Sequence, residues 1–159
     1  MEGPKNSDTY GPYIAEWKYF DPCPQSENNI ANISTLVEPI GDIYQGSVNI
    51  TLHDNVRLSA MKFIIHNVKN NHKKLLWDYT LDKPCSNRVI AAALKKHIDI
   101  RSCVLRKGTH VIKVNFTEKV YMFFGSSFFY GEYILKFILV SRKKDILCVV
   151  TDEIISKKP

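Results

Sequence analysis

The sequence predicts a mainly β domain built from antiparallel strands, a sandwich or barrel with a single helical segment. Three observations point there. Most of the chain alternates apolar and polar residues with the period of a strand. Two asparagines that begin N-glycosylation sequons fall on the polar side of that alternation. The short apolar runs are separated by turn residues throughout, the pattern of many short strands with one wet face.

The chain has 159 residues, a size that suits one domain with one good core. Charged residues make up 24% and apolar residues 45%, which excludes a disordered chain. Apolar runs stop short of membrane-spanning length, cut by Lys119, Glu132 and Lys136. Residues 1–13, with Gly3, Pro4, Gly11 and Pro12, read as a loose, flexible leader, and residues 14–159 as the single domain. Met1 to Gly11 is too polar for a secretory signal. A secreted form is therefore expected to have lost its signal segment, with Met1 added.

The elements follow in order. Pro22-Cys23-Pro24 is a constrained opening. Val48, Ile50 and Leu52 oppose Asn49, Thr51 and His53, and the sequon at Asn49 makes the second set the wet one. Met61, Phe63 and Ile65 alternate with Lys62, Ile64 and His66. Leu75, Trp77, Tyr79 and Leu81 alternate with Leu76, Asp78 and Thr80. Ser86 is expected to cap a helix through His97, with Val89, Ile90, Ala93, Leu94 and His97 on one side. Ile112, Val114 and Phe116 oppose Lys113, Asn115 and Thr117, with Asn115 outward. Tyr133, Leu135, Phe137 and Leu139 form another inward set, and Cys148 and Val150 lie in the last strand. The stretch from Val120 to Gly131 holds Phe123, Phe124, Phe128 and Phe129. It reads as an aromatic loop with glycine bending points, either plugged into the core or lying over an apolar pocket.

Four cysteines allow three pairings. Cys23 opens the folded region, Cys148 nearly closes it, and Cys85 and Cys103 bracket the helical segment. An even cysteine count with sequons at Asn32, Asn49 and Asn115 argues for a secreted, oxidised glycoprotein; a cytosolic protein with free thiols is the alternative.

Catalytic motifs are missing. His53, His66, His72, His97 and His110 lack metal-site spacing, so no metal or cofactor is expected. Gly125-Ser126-Ser127 matches the nucleophile elbow only in part, because Phe129 stands where its second glycine belongs. No paired carboxylates or phosphate loop occurs, so an enzyme is not expected, and a hydrolase ranks last. The net charge of +6 lies in small groups such as Lys73-Lys74 and Arg142 to Lys144, a solvated surface or an attraction to acidic lipid headgroups. Nucleic-acid motifs are absent, so nucleic acid is not an expected partner.

Ordered pieces from Trp17 to the C-terminus resemble the ML lipid-recognition superfamily, in its ganglioside-activator-like branch with secreted insect relatives. Trp17 and Asp21-Pro22-Cys23 resemble the opening tryptophan and first cysteine. Ser34 to Ile40, then Gly46 to Leu52, resemble the "LEP…GNVTL" stretch. Ser102-Cys103 with Lys107-Gly108-Thr109 resembles the "C-P-F-K-E-G-T-Y" turn. Gly131-Glu132-Tyr133, then Lys143, Leu147 and Cys148, resemble the close. The resemblance implies an immunoglobulin-like β-sandwich or cup of two antiparallel sheets with an internal apolar cavity. It implies the pairs Cys23–Cys148 and Cys85–Cys103. This chain lacks the additional cysteine pairs of the ganglioside activator, which argues against glycosidase activation.

The functional expectation is a secreted, non-enzymatic carrier of a lipid or other long apolar ligand. Phe63, Ile65, Trp77, Tyr79, Phe116, Tyr133, Phe137 and Leu139 are expected to line the cavity or the adjoining core, with the Phe123–Phe129 loop at its mouth. The alternative is a receptor co-ligand or an innate-immune or chemosensory recognition protein. It would act through that loop, with transient contact to a receptor or membrane surface.

Overall fold

The computed structural model describes residues 9–24, 31–98, 100–142 and 144–159, apart from the side chains of residues 97 and 123. It is mainly β, with two facing antiparallel sheets. Twelve strands are described: β1 Tyr10–Pro22, β2 Ala31–Ile40, β3 Ile43–Leu52, β4 Val56–Arg57, β5 Ala60–Lys69, β6 His72–Asp82, β7 Ile100–Arg101, β8 Val104–Leu105, β9 Gly108–Asn115, β10 Ser127–Phe129, β11 Gly131–Ser141 and β12 Lys144–Lys157. Helix α1 spans Arg88–His97 and α2 spans Phe116–Phe124. The larger sheet runs β10-β1-β12-β11-β5-β6, the facing sheet β2-β3-β9, and a small patch β4-β8-β7.

β12 lies near the middle of the large sheet, between β1 and β11, and is buried on both faces from Ile146 to Glu153. Its inward residues meet the facing sheet. Outward, Cys148 packs with Ala60, Ile138 and Val140. A strand buried on both sides loses the alternation that marks a half-exposed one. That is why only Cys148 and Val150 of it stand out in the sequence.

β1 starts at Tyr10, inside the stretch expected to be a leader, and Tyr13 is fully buried. A bulge at Lys18 moves the pairing from Trp17↔Glu153 to Tyr19↔Asp152. The shift lets Trp17 and Phe20, three residues apart, face the same interior. β3 keeps the expected parity: Val48, Ile50 and Leu52 are buried and Asn49 is exposed.

Two cores result. One gathers Phe20, Val48, Ile50, Leu52, Leu94, Leu105, Leu139 and Leu147. The other gathers Tyr13, Trp17, Ile65, Val120, Tyr133 and Ile155. Phe116 packs against both.

α1 is capped by Asn87, not by Ser86. The Asn87 side-chain oxygen accepts from the amides of Val89 (3.0 Å) and Ile90 (3.1 Å), while Ser86 ends a 3₁₀ turn from Pro84. Among the described side chains of α1, Leu94 is the buried one, and Val89 is 77% exposed. His97 of the expected apolar side lies outside the described side chains. The disulfides join Cys23 to Cys148 and Cys85 to Cys103, as the resemblance implied.

Candidate functional site: an apolar cavity between the sheets

A cavity of about 260 Å³ lies between the two sheets. β1 contributes Trp17 and Phe20; β5, Phe63; β11, Leu135, Lys136 and Phe137; β12, Leu147, Val149, Thr151 and Glu153. Val48 of β3 with Ile112 and Val114 of β9 form the other wall, and α2 adds Phe116, Lys119, Val120 and Phe124.

α2 is the largest departure from the expected pattern. Phe116 to Phe124 is a helix, not a strand end followed by an aromatic loop. Asn115 does not present its side chain from a strand face. It caps α2, its Oδ1 accepting from the Glu118 amide at 2.9 Å. Phe116, Val120 and Phe124 are spaced four apart, so one helix face carries all three to the cavity. That spacing behind an Asn with Glu three residues later was the available signal. Gly125, at φ +79°, ends the helix in a conformation that side chains rarely adopt.

The helix is clasped at both ends. The Thr117 hydroxyl accepts from the Tyr44 amide at 3.0 Å. At the other end, Tyr13 donates its hydroxyl proton to the Gly125 carbonyl at 2.6 Å, and Tyr121 donates to the Tyr13 carbonyl at 3.2 Å. Burial first, then the nearby Tyr121 and Glu153, pushes the Tyr13 phenol up to about 12. It stays protonated and holds the contact through the physiological range.

Phe116 lies under Trp17, rings stacked at 5.4 Å, and meets Phe20 edge-on at 5.0 Å. Gly46 of β3 makes room for it, since a Cβ there would sit 2.5 Å from the ring.

The other expected residues divide. Phe63, Phe116, Phe124 and Phe137 line the cavity, while Ile65, Tyr133 and Leu139 are buried in the adjoining cores. Phe128 is half-buried and stacks on Phe124 at 4.1 Å, and Phe129 is 57% exposed on β10 beside Tyr10. Phe123 lies outside the described side chains.

Trp77 and Tyr79 are a correction, being about half exposed at 48% and 49% and away from the cavity. They share a face with Ile65 and Phe63, their register partners, as parity requires. But among the described residues β6 is the edge strand of the large sheet, paired only with β5. A bulge at Leu76 moves Leu75 off the Trp77 face, opposite His66.

Sequence reasoning missed Glu153. It is 2% exposed and touches the cavity, and its Oε1 has no hydrogen-bond partner. Burial, and then Asp152 beside it, pushes its carboxyl up to about 8. Asp152, on the opposite face of β12, is raised to about 6 by burial and by a hydrogen bond to Glu132, whose own carboxyl is lowered by it. Lys18 pairs with Glu132 at 3.5 Å. Among the described residues, no cluster of three His, Cys, Asp or Glu could hold a metal.

No protein-family model matches the chain, and no curated protein matches it in sequence. Among solved structures, it is similar to a Niemann-Pick type C2 protein from Japanese carpenter ant. The two share 14% identity at a TM-score of 0.43, over 84% of this chain and 96% of that one. It is also similar to chicken MD-1 complexed with lipid IVa, at 10% identity and a TM-score of 0.45, over 92% of this chain and 99% of that one.

Proposed function

We propose that this protein is a secreted, non-enzymatic carrier that binds a lipid or other long apolar ligand between its two sheets. The observation that carries the reading is the cavity of about 260 Å³ walled by Trp17, Phe20, Phe63, Phe116, Phe124 and Phe137. An apolar protein cavity of roughly 150 Å³ already takes up benzene. An unfilled void costs its lining the dispersion contacts a close-packed core would have. A ligand restores them, and each methylene it buries adds about 0.8 kcal/mol. Two disulfides support an oxidising, extracellular setting. Asn32 and Asn49 are exposed, so a glycan on either would meet no packed wall.

The test is native mass spectrometry of protein secreted from eukaryotic cells, with uptake of an apolar fluorescent probe. Copurifying lipid, or probe bound one to one, is the expected result. A clean apo mass together with no probe uptake overturns the carrier reading.

One observation favours a second reading, a recognition protein that meets a receptor. Edge strand β6 exposes Trp77 and Tyr79 side by side on one face, ring centroids 6.3 Å apart. Uncovered apolar residues on a sheet edge are the kind of patch a partner covers. Under that reading Trp77→Lys abolishes receptor binding and leaves probe uptake intact. Unchanged receptor binding counts against it.

A further inference from the structure

We propose that Glu153 selects the ligand's polar end, so that the cavity takes an apolar molecule carrying a hydroxyl group, with that hydroxyl hydrogen-bonded to Glu153 Oε1. The inference rests on the carrier reading and adds the chemistry of the ligand's end group.

Glu153 sits on the inward face of β12, in register with Trp17 on β1 and Tyr133 on β11. It is 2% exposed, touches the cavity, and leaves Oε1 unpartnered. A buried oxygen without a hydrogen-bond partner is costly, and buried polar atoms are ordinarily satisfied. The neighbouring hydroxyls are already used. Thr151 donates to the Tyr19 carbonyl at 2.8 Å, Tyr133 to the Phe129 carbonyl at 2.8 Å, and Tyr13 to the Gly125 carbonyl. The polar atom left over at the cavity is thus Glu153 Oε1, and a bound molecule can supply its partner.

The remaining charges narrow the partner's class. Burial and Asp152 keep the Glu153 carboxyl protonated at neutral pH. Tyr13 and Tyr133 face it with raised phenol pKa values, and Lys119 and Lys136 also touch the cavity. A carboxylate ligand would lose its water beside buried Glu153 without a facing cation, because Lys119 is exposed to solvent and Lys136, in register with Val150, leaves from the outer face of the sheet. An ammonium would have to shed its water among aromatic walls. An alcohol carries no charge, and its hydroxyl can donate to a carbonyl oxygen or accept from a carboxyl O–H, so it satisfies a neutral Glu153 either way.

The experiment uses n-decanol, n-decane, decanoate and decylamine as probes at neutral pH, read by the fluorescence of Trp17 in the cavity wall. Trp77 is replaced by phenylalanine throughout to leave one reporter. Decanol should bind more tightly than decanoate and decylamine. The ratio of decanol to decane affinity should fall about tenfold on Glu153→Leu and stay near native on Glu153→Gln, which keeps an acceptor oxygen. An unchanged ratio in Glu153→Leu, or tighter binding of decanoate or decylamine, overturns the proposal while leaving the carrier reading standing. Binding of none of the four overturns both. Infrared difference spectra of the Glu153 protein keep the test open if the leucine variant fails to fold. The protonated-carboxyl band absent from Glu153→Gln should move when decanol is added and stay put with decane. A band unmoved by decanol overturns the proposal.

Discussion

At the scale of single residues, two positions concentrate the physics of the cavity. Glu153 is held neutral where an exposed glutamate would be ionised. Its folded pKa, about 8, lies above its ordinary 4.5, so the folded state binds more protons than the unfolded one between those values. Stability therefore falls as pH rises through that window. Asp152, raised to about 6, adds its own falling limb below that, leaving the range from about 6 to 8 to Glu153. Thermal melts from pH 5 to pH 9 should show a declining Tm that flattens above pH 6 in Glu153→Gln; the same slope in both proteins contradicts the assignment. Gly46 is the second position. A methyl group there meets the Phe116 ring at 2.5 Å, and that ring is already hemmed by Trp17 and Phe20. Gly46→Ala should cost about 1–3 kcal/mol in chemical denaturation, the usual penalty for overpacking. It should also weaken probe uptake by shifting a cavity wall.

At the scale of elements, α2 decides the shape of the site. Its cap at Asn115 closes the helix N-terminus, and Asn115→Ala should cost about 0.5–2 kcal/mol, measurable as a lower denaturant midpoint. The Phe124 and Phe128 rings stack at 4.1 Å and both lie near Tyr133, so they act as a wall and its brace instead of a free lid. Replacing both with serine should lower stability by several kcal/mol as well as probe uptake. A variant with native stability and lost uptake would instead restore the mobile-loop picture. β6 teaches the complementary point. Trp77 and Tyr79 have the inward parity that their pairing with Ile65 and Phe63 requires, yet remain half exposed among the described residues, on the edge strand of the large sheet. Parity chooses a face; only the neighbouring layer buries it.

At the scale of the whole molecule, the two disulfides constrain different lengths of chain. Cys23–Cys148 spans 125 residues and Cys85–Cys103 spans 18. In the chain-entropy account they contribute about 5 and about 3 kcal/mol. Paired Cys→Ala variants compared by chemical denaturation should rank in that order, and an inverted ranking would show that strand-end packing outweighs loop closure. The sequence by itself determined the β class, the inward faces of β3 and β5, and the inward line of Ile112 and Val114. Each follows from local alternation, a property of the chain one strand at a time. Tertiary structure decided the rest. The doubly buried β12 carries no alternation to read, so Glu153 and Thr151 were invisible as wall residues. The Lys18 bulge, which aims Trp17 and Phe20 at one interior, arises from pairing with a strand more than a hundred residues away. The phenylalanines after Asn115 suit a buried strand or a buried helix equally. The cap, the Gly46 gap and the Tyr13 clasp that favour the helix come together only once the sheets face each other.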